Sequence, residues 1–295
     1  MFRIGDSGLR LFLIRCYIAH YFFVMIVGGV ALLGVACGDN ALDNATDSGS
    51  DPSGGEGMIL DAYSTEKKLP SELLDLTNWK LTLPINTAAL GDPDEIKQPE
   101  LTQYTNSNYF KLNTSKDGVV FYAPVDGDST SGSNYPRSEL REMTNQGTEK
   151  ASWSTHSGIH TMTISQSILE LPVTKRHIVA GQIHDKDDDV IMIRLEGTKL
   201  FVEAQGTELI PSEDPAYQYL NENYTLGQPF DIKIVATEGR IKVYFDNQLK
   251  VDYPKVTDGC YFKAGAYTQS NLSKENGNAN SGGRVVINTL AVQHE

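Results

Sequence analysis

The segment FDIKIVATEGRIKVYFDNQ, residues 230–248, alternates apolar and polar side chains on both sides of a central Glu-Gly dipeptide. Its apolar positions recur at every second residue: Ile232, Ile234, Ala236, Ile241, Val243 and Phe245. Successive side chains of a β-strand point to opposite faces, so a period of two predicts strands with one buried face. Two such runs around a dipeptide that contains glycine indicate a β-hairpin.

Strand-like runs of the same kind continue along the chain from about residue 70. They include NWKLTLPI (78–85), GVVFYAP (118–124) and GRVVINTLAVQ (283–293). No later segment has a long apolar period of 3.6 residues, and loops rich in Gly, Asn, Ser and Pro separate the runs. We predict an all-β domain over residues 70–295, an antiparallel β-sandwich or jelly roll. Short helices are expected only at SELLDL (71–76) and DPAYQYLNEN (214–223).

The composition limits the classes of partner. Hydrophobic residues make up 40% of the 295 residues, which is enough for a real core. The formal net charge is −13, whereas a surface that binds nucleic acid is basic because it must neutralise phosphates. We therefore predict no nucleic-acid partner, and any polyanion that this protein binds must meet a local basic patch.

The first forty residues have the pattern of an export signal. Arg3, Arg10 and Arg15 form a basic start, residues 21–36 carry no charge, and the sequence LLGVAC ends at Cys37. This pattern resembles a bacterial lipoprotein signal in which Cys37 carries the lipid. Another cleaved signal and a retained membrane anchor are the alternatives.

We accordingly divide the chain into a lipoprotein-type signal segment (1–37), a flexible tether (38–69) and a β-domain (70–295). The tether is rich in Gly, Ser, Asp and Asn and lacks apolar periodicity until Met58. We expect an exported protein that is held in the cell envelope, at the outer membrane or cell surface, or is secreted. Its membrane contact would be limited to the N-terminal lipid or anchor.

No pattern in the sequence indicates a metal or a cofactor. DKDDDV, residues 185–190, has aspartates at alternate positions like a calcium loop, but the glycine and the distal glutamate of such a loop are missing. His156, His160 and His177 lack the spacing of metal ligands. Cys260 borders a strand-like run, where we expect an unreactive thiol that is buried or half-buried.

Charged, amide and phenol groups recur at alternate positions in two strand-like segments. In NYPRSELREM (134–143), alternation places three charged residues on one face: Arg137, Glu139 and Arg141. In YFKAGAYTQ (261–269), one face holds Tyr261, Lys263, Gly265, Tyr267 and Gln269. The opposite face of this second segment is mostly apolar, so we expect it to pack into the sandwich.

HIVAGQIHD (177–185) is a third segment of this kind. Strict alternation predicts one face with Ile178, Ala180, Gln182 and His184. The opposite face would then hold Val179, Gly181 and Ile183. An ordinary solvent-facing side of a strand also alternates, so the pattern alone does not require a site. The groups in the three rows, however, are those that neutralise carboxylates and transfer protons.

Four motifs resemble a known family. RSELRE (137–142), QIH (182–184) and YFKAGAYTQ, in this order after NWKLTLP (78–84), closely resemble the alginate lyases of polysaccharide lyase family 7. The resemblance covers residues 74–295. It implies a β-jelly roll whose concave sheet forms an open groove for alginate, an acidic polysaccharide of mannuronate and guluronate. It also implies cleavage by β-elimination without a metal or other cofactor, and we expect a monomer.

The same resemblance implies roles for residues of the three rows. The enzyme must remove the proton next to a sugar carboxylate, so donors placed for the enolate must first neutralise that carboxylate. Arg137 and Gln182 match the family's neutralising positions. His184 matches the base and Tyr267 the acid for guluronate, and for mannuronate Tyr267 is expected to perform both tasks.

The remaining matches concern binding and preference. Arg141, Lys263 and Gln269 match positions that grip the substrate, and Glu139 is expected either to orient the arginines beside it or to be a structural ion-pair partner. Ile183, the middle residue of QIH, accompanies acceptance of guluronate in the family. The predicted reaction therefore cleaves alginate at 4-linked uronates, accepts guluronate and leaves a C4=C5 unsaturated non-reducing end.

Two other functions fit part of the pattern. A non-catalytic, lectin-like sandwich that binds carbohydrate would share the strand signals, but it needs no proton-transfer pair such as His184 and Tyr267. A glycoside hydrolase needs closely spaced catalytic carboxylates, which no predicted strand carries. The loops TSGSNY (130–135) and SNLSKENGNANSGG (270–283) are expected to be lids or plain mobile connections.

Overall fold

The computed structural model describes residues 67–295. The predicted signal segment, Cys37 and the tether up to residue 66 lie outside the described residues, so the roles assigned to them stay predictions. Within residues 67–295, no helix is long and apolar enough to cross a membrane.

Sixteen β-strands and two short 3-10 helices, Pro70–Glu72 and Glu100–Gln103, form the regular structure of residues 67–295. The first eight strands are β1 (Trp79–Thr82), β2 (Glu95–Ile96), β3 (Phe110–Leu112), β4 (Val119–Pro124), β5 (Arg137–Thr144), β6 (Glu149–Lys150), β7 (Ile159–Glu170) and β8 (His177–His184). The others are β9 (Asp189–Glu196), β10 (Lys199–Ala204), β11 (Thr207–Leu209), β12 (Pro229–Thr237), β13 (Arg240–Phe245), β14 (Gln248–Pro254), β15 (Tyr261–Thr268) and β16 (Gly282–His294).

The hairpin predicted from residues 230–248 is confirmed. β12 and β13 pair antiparallel, with Ile234 opposite Val243. Glu238 and Gly239 join the two strands with φ values of 52° and 71°, as a two-residue type I′ turn requires. The alternate apolar side chains of both strands belong to the core, so the period of two did mark the buried face.

The expectation of short helices at residues 71–76 and 214–223 is wrong for the second segment and for most of the first. The 3-10 helix Pro70–Glu72 overlaps only the start of SELLDL, and DPAYQYLNEN contains turns and a bend but no helix. In the second segment, the N–H of Leu220 and the carbonyl of Asn221 bond to the backbone of Leu200 in β10. Backbone groups that pair with a strand are not available for the i to i−4 bonds of a helix.

The described strands form two antiparallel sheets. The nine-stranded sheet has the order β11-β10-β9-β8-β15-β5-β1-β2, with β6 beside β5, and the seven-stranded sheet has the order β14-β13-β12-β7-β16-β4-β3. Both sheets contribute to one apolar core, which includes Leu140 and Phe262 from the first and Phe121 and Ile164 from the second. Burial of one face of each sheet against the other holds the sandwich together.

The outer face of the nine-stranded sheet carries the three polar rows, because β8, β15 and β5 are neighbours at its centre. Arg141 lies opposite Lys263 and Arg137 lies opposite Tyr267 across β5 and β15. Lys263 in turn lies opposite Gln182 of β8. Residues directly opposite on paired strands share a face, so the rows form one surface.

The alternation predicted for β8 is wrong at its centre. Three of its residues belong to the core: Ile178, Ala180 and Ile183. Val179 instead lies opposite Tyr267, which places it on the outer face. Gln182 and His184 therefore share their face with Val179, and not with Ile178 and Ala180 as strict alternation predicts.

A β-bulge at Gly181 explains the difference. Between Val179 and Gln182, β8 has one residue more than the facing part of β9, and an extra residue reverses the alternation beyond it. Gly181 has a φ of +149°, a conformation that favours glycine. Gln166 of the opposite sheet donates its Nε2–H to the carbonyl of Ala180 at 2.9 Å, so a buried amide provides a partner for the backbone at the bulge.

Candidate active site

Glu139 lies at the centre of the polar surface. Its side chain is 1% exposed and pairs with Lys263 Nζ at 2.6 Å and Arg137 Nη1 at 3.4 Å. It also accepts a hydrogen bond from Gln182 Nε2 at 2.5 Å. These four residues, Arg137, Glu139, Gln182 and Lys263, are called the Glu139 cluster below. Burial alone would raise the pKa of Glu139, but the positive charges of Lys263 and Arg137 lower it, so the carboxylate is ionised.

Lys263 shares the burial of Glu139, because its side chain is only 8% exposed. Burial lowers the pKa of Lys263 to about 8, and the positive charge of Arg137 acts in the same direction against the favourable charge of Glu139. Near neutral pH Lys263 is therefore mostly a cation. It loses this charge as the pH rises through about 8.

Positive charge exceeds negative charge around Glu139. Arg137, Lys263 and the adjacent Arg141 supply three positive charges against one carboxylate. Arg141 Nη1 donates to the carbonyl of Glu142 at 2.7 Å, and its guanidinium lies 3.9 Å above the ring of Tyr261. Glu139 thus holds one arginine and one lysine, and not the two arginines beside it. The surplus of positive charge suits an anionic ligand.

Tyr267 is in direct contact with Arg137. The guanidinium carbon of Arg137 lies 3.9 Å from the centroid of the Tyr267 ring, and Lys263 Nζ lies 5.8 Å from it. The phenol oxygen is 2.9 Å from Oγ of Ser133, a residue in the loop 125–136 that precedes β5. The predicted acid and a predicted neutralising cation are therefore neighbours.

His184 has a defined tautomer. Its Nδ1 is 2.7 Å from the carbonyl of Asp185, and a carbonyl only accepts, so Nδ1 carries the hydrogen and Nε2 of the neutral ring can accept a proton. The ring stacks on Tyr261 with 5.3 Å between centroids. Burial lowers the pKa of His184, and the charges of Lys263 and Arg137 add to this effect. His184 is thus a neutral base near pH 7.

Comparison with known proteins identifies the family. The family model described as Alginate lyase matches residues 74–294. The chain belongs to this family. The solved structure "Alginate lyase AlgAT5 from Polysaccharide Lyase family 7" is 56% identical, with a TM-score of 0.72, and the match covers 77% of this chain and 99% of that one.

Two further relatives agree with this identification. An alginate lyase structure from Corynebacterium sp. is 43% identical, with a TM-score of 0.72 and coverage of 77% of this chain and 99% of that one. An alginate lyase of Klebsiella pneumoniae is 27% identical over 264 residues, which are 70% of this chain and 86% of the relative. The predicted family, the β-sandwich of the jelly-roll type and the activity of a polysaccharide lyase are confirmed. The lectin-like alternative is not favoured.

Gln269 is the remaining residue that we expected to contact the substrate of the lyase. It follows β15 directly, and its backbone N–H donates to the carbonyl of His177 at 3.1 Å. Its side-chain Nε2 is buried without a hydrogen-bond partner among the described residues, as is Nε of Arg137. A buried donor without a partner costs free energy, and a polar ligand at this surface would offer acceptors.

β1 contributes two outward residues that were not among the predicted site residues. Lys80 lies opposite Arg141 and Thr82 lies opposite Glu139. Lys80 forms an ion pair with Glu95 of β2. The alternation in NWKLTLPI contained the signal, because its apolar residues face the core and its polar residues must face outward.

Two cavities border the polar surface of the lyase. One, of about 890 Å³, is lined by residues that include Lys80, Thr82, Glu95, Lys97, Gln98 and Lys150. The other, of about 350 Å³, is lined by residues that include Arg141, Tyr261, Lys150 and Asp185. His184 and Tyr267 line neither of them. The cavities therefore extend the polar surface beyond His184 and Tyr267, which gives room for more than one sugar unit.

Asp185 and Cys260, which we considered for metal binding and thiol chemistry, have structural surroundings. Among residues 67–295, no group of three or more His, Cys, Asp or Glu is arranged to hold a metal ion. The carboxylate of Asp185 accepts hydrogen bonds from the backbone of Asp187 and Asp188 and from the hydroxyl of Thr257. Cys260 is buried, and burial raises the pKa of its thiol to about 12, so it stays protonated and unreactive.

Proposed function

We propose that this lyase cleaves alginate by β-elimination at 4-linked uronates, leaves a C4=C5 unsaturated non-reducing end, and accepts guluronate. One observation carries the proposal: three kinds of group meet on one outer face of the sheet. They are the cations of the Glu139 cluster, the free ring nitrogen of His184 and the phenol of Tyr267. Binding alone would need only the first, whereas elimination needs all three.

The cations prepare the sugar for loss of a proton. Arg137 uses Nη1 for Glu139 and has a buried Nε without a partner, so its guanidinium has donors left for a uronate carboxylate. Gln182 uses one of its two amide hydrogens for Glu139. Neutralisation of the carboxylate stabilises the enolate that forms when C5 loses its proton. Glu139 keeps these donors in place.

His184 and Tyr267 complete the elimination. Nε2 of His184 takes the proton from C5, the electron pair forms the C4=C5 bond, and the bond between C4 and the linking oxygen breaks. Tyr267 gives its proton to that oxygen as it leaves. In guluronate the C5 proton and the leaving oxygen lie on opposite sides of the sugar, which suits a base on β8 and an acid on β15. In mannuronate they share a side, and Tyr267 would perform both tasks.

The proposed acceptance of guluronate concerns Ile183, the middle residue of QIH. Ile183 lies in the core, below the outer face that carries Gln182 and His184. It therefore acts on the substrate only by shifting these two neighbours. We propose acceptance of guluronate from the resemblance at this position together with the separate strands of base and acid.

The reaction is tested by its products. The purified lyase is mixed with polyguluronate or with polymannuronate, with and without a chelator, and the ultraviolet absorbance of the new C4=C5 bond is followed. We expect absorbance to rise with polyguluronate at the same rate in both tubes. Shorter chains without a rise in absorbance would show hydrolysis and contradict elimination, and a rise with polymannuronate alone would contradict acceptance of guluronate.

We also propose that the chain is exported and held at the cell envelope by a lipid on Cys37. The basic start, the uncharged run and LLGVAC support this proposal. Cells that express the full chain in the presence of a labelled fatty acid should yield labelled protein, and the Cys37→Ser variant should not carry the label. Equal labelling of the two proteins, or no labelling of either, would contradict it.

A further inference from the structure

Ser133 forms a hydrogen bond with the phenol of Tyr267 from a loop that was not among the predicted catalytic segments. Its Oγ is 2.9 Å from the phenol oxygen. The same Oγ accepts the backbone N–H of Tyr135 at 3.0 Å and lies 3.2 Å from the Tyr135 carbonyl, to which it can donate. One hydroxyl thus contacts a fixed donor, a fixed acceptor and the phenol that we assign as the acid.

These three contacts allow Ser133 to serve both protonation states of Tyr267. A hydroxyl has one hydrogen and two lone pairs, and the Tyr135 N–H occupies one lone pair. While Tyr267 is a phenol, it donates to the second lone pair, and the hydrogen of Ser133 points to the Tyr135 carbonyl. When Tyr267 gives up its proton, a rotation of the Ser133 hydroxyl turns that hydrogen to the phenolate oxygen.

We propose that Ser133 is a positioning residue for Tyr267 that also stabilises the phenolate formed in the elimination step. The O–H bond of Tyr267 breaks and its proton goes to the leaving oxygen of the sugar. The O–H bond of Ser133 stays intact and only changes its acceptor. This inference rests on the proposed role of Tyr267 as the acid.

The loop that carries Ser133 has other attachments. The hydrogen bonds that tie it to separate segments include three near Ser133: Ser131 N–H to the carboxylate of Asp92 at 2.6 Å, Asn271 Nδ2 to the carbonyl of Asn134 at 3.2 Å, and Lys175 Nζ to Oη of Tyr135 at 3.0 Å. None of them uses the side chain of Ser133. Truncation of this side chain removes its contacts with Tyr267 and with the backbone of Tyr135. The three attachments to other segments are expected to keep the loop in place.

The test compares three variants with the wild-type lyase on polyguluronate. Ser133→Ala is expected to lower kcat by about tenfold or more and to change KM by less than about twofold, because the lost hydrogen bond matters most when the phenol carries charge. Ser133→Thr keeps the hydroxyl and should restore most of kcat. Ser131→Ala is the matched control in the same loop, since Ser131 bonds to Asp92 through its backbone, and its kcat should stay within about twofold.

Tyr267→Phe is measured in parallel to separate this inference from the proposed function. If Tyr267→Phe retains wild-type kcat, the assignment of the acid is wrong and this inference is overturned with it. If Tyr267→Phe is inactive but Ser133→Ala has wild-type kcat, only the role of Ser133 is overturned. A fall in kcat that Ser133→Thr does not restore, with a lowered melting temperature, would also overturn it, because such a result indicates a structural role.

Discussion

Arg137 and Arg194 lie on the same outer face of the nine-stranded sheet, and carboxylates hold both of them. Arg137 shares Glu139 with Lys263, so cations outnumber carboxylates around it. Arg194 of β9 pairs with Glu196 at 2.6 Å and also with Glu203, so carboxylates outnumber cations there. The first arginine can accept one more anion, whereas the charge of the second is already exceeded by that of its partners.

Simpler criteria do not separate the two arginines. Both side chains are largely buried, at 11% and 15% exposed. Each has a buried Nε without a hydrogen-bond partner among the described residues. They also lie in one row across the sheet, because Arg194, Val179, Tyr267 and Arg137 are successive neighbours on paired strands. The balance of charge around each guanidinium is therefore what distinguishes the proposed active surface from the ion-pair network of Arg194.

The largest effect is expected from Tyr267→Phe, which removes the proton donor and leaves both arginines in place. kcat on polyguluronate should fall by at least about 100-fold, since general acid catalysis contributes a factor of about 10² to 10⁴ to the rate. The affinity for polyguluronate should change little. Tyr219→Phe is the matched control beside β10, where Tyr219 contacts Phe201. A Tyr267→Phe lyase that keeps most of its activity would contradict the assignment.

Removal of each arginine tests the comparison itself. Arg137→Ala should lower kcat/KM by about 100-fold, because a donor to the developing enolate is lost. Arg194→Ala should leave kcat/KM within a few-fold but lower the free energy of unfolding by about 3 kcal/mol, because two carboxylates lose their shared cation. Steady-state rates and urea unfolding measure the two effects. Equal losses of activity in both variants would refute the distinction.

The pH profile of kcat/KM tests the charge surplus. Lys263 contributes its charge below its pKa of about 8, so kcat/KM should fall as the pH rises above this value. His184 acts in its neutral form, and burial lowers its pKa, so the loss of kcat/KM at acidic pH should lie below pH 6.5. In the Lys263→Met variant, kcat/KM should still decrease at acidic pH but should no longer decrease at alkaline pH. An unchanged decrease at alkaline pH in this variant would assign that decrease to another group.

The smallest effect is expected from Gln166→Leu, which alters the support of β8 from the opposite sheet. The variant removes the donor to the Ala180 carbonyl, but it also removes Oε1 of Gln166, which is buried without a partner. The net loss of stability should therefore be no more than about 1 kcal/mol. kcat should fall a few-fold because the bulge carries Gln182 and His184. An unchanged kcat would show that the bulge holds its shape without this amide.

Local alternation predicted much of this site, because the direction of a side chain in a regular strand depends on its parity alone. It placed Arg137, Glu139 and Arg141 on one face of β5, and Lys263 and Tyr267 on one face of β15, as the structure has them. The four motifs identified the family. The same reasoning would have found Lys80 if it had been applied to the polar positions of β1.

Alternation failed at Gly181 for a physical reason. An isolated glycine inside a strand-like run, such as Gly181, permits a bulge, but a bulge is defined by the count of residues on the paired strand, and the register of β9 and β15 decides that count. The donor to the bulge, Gln166, comes from the other sheet, so it was also invisible in the sequence of β8.

Residue type and neighbours along the chain were enough to predict the strands, the family and the kinds of side chain on the polar surface. Which of these side chains touch, and what charge they carry, depends on how the strands pair. Ser133 and Tyr267 are 134 residues apart and meet only through the pairing of β5 with β15. The lowered pKa of Lys263 and the surplus of cations around Glu139 arise from that same pairing, since burial and Coulomb interactions depend on distance in space.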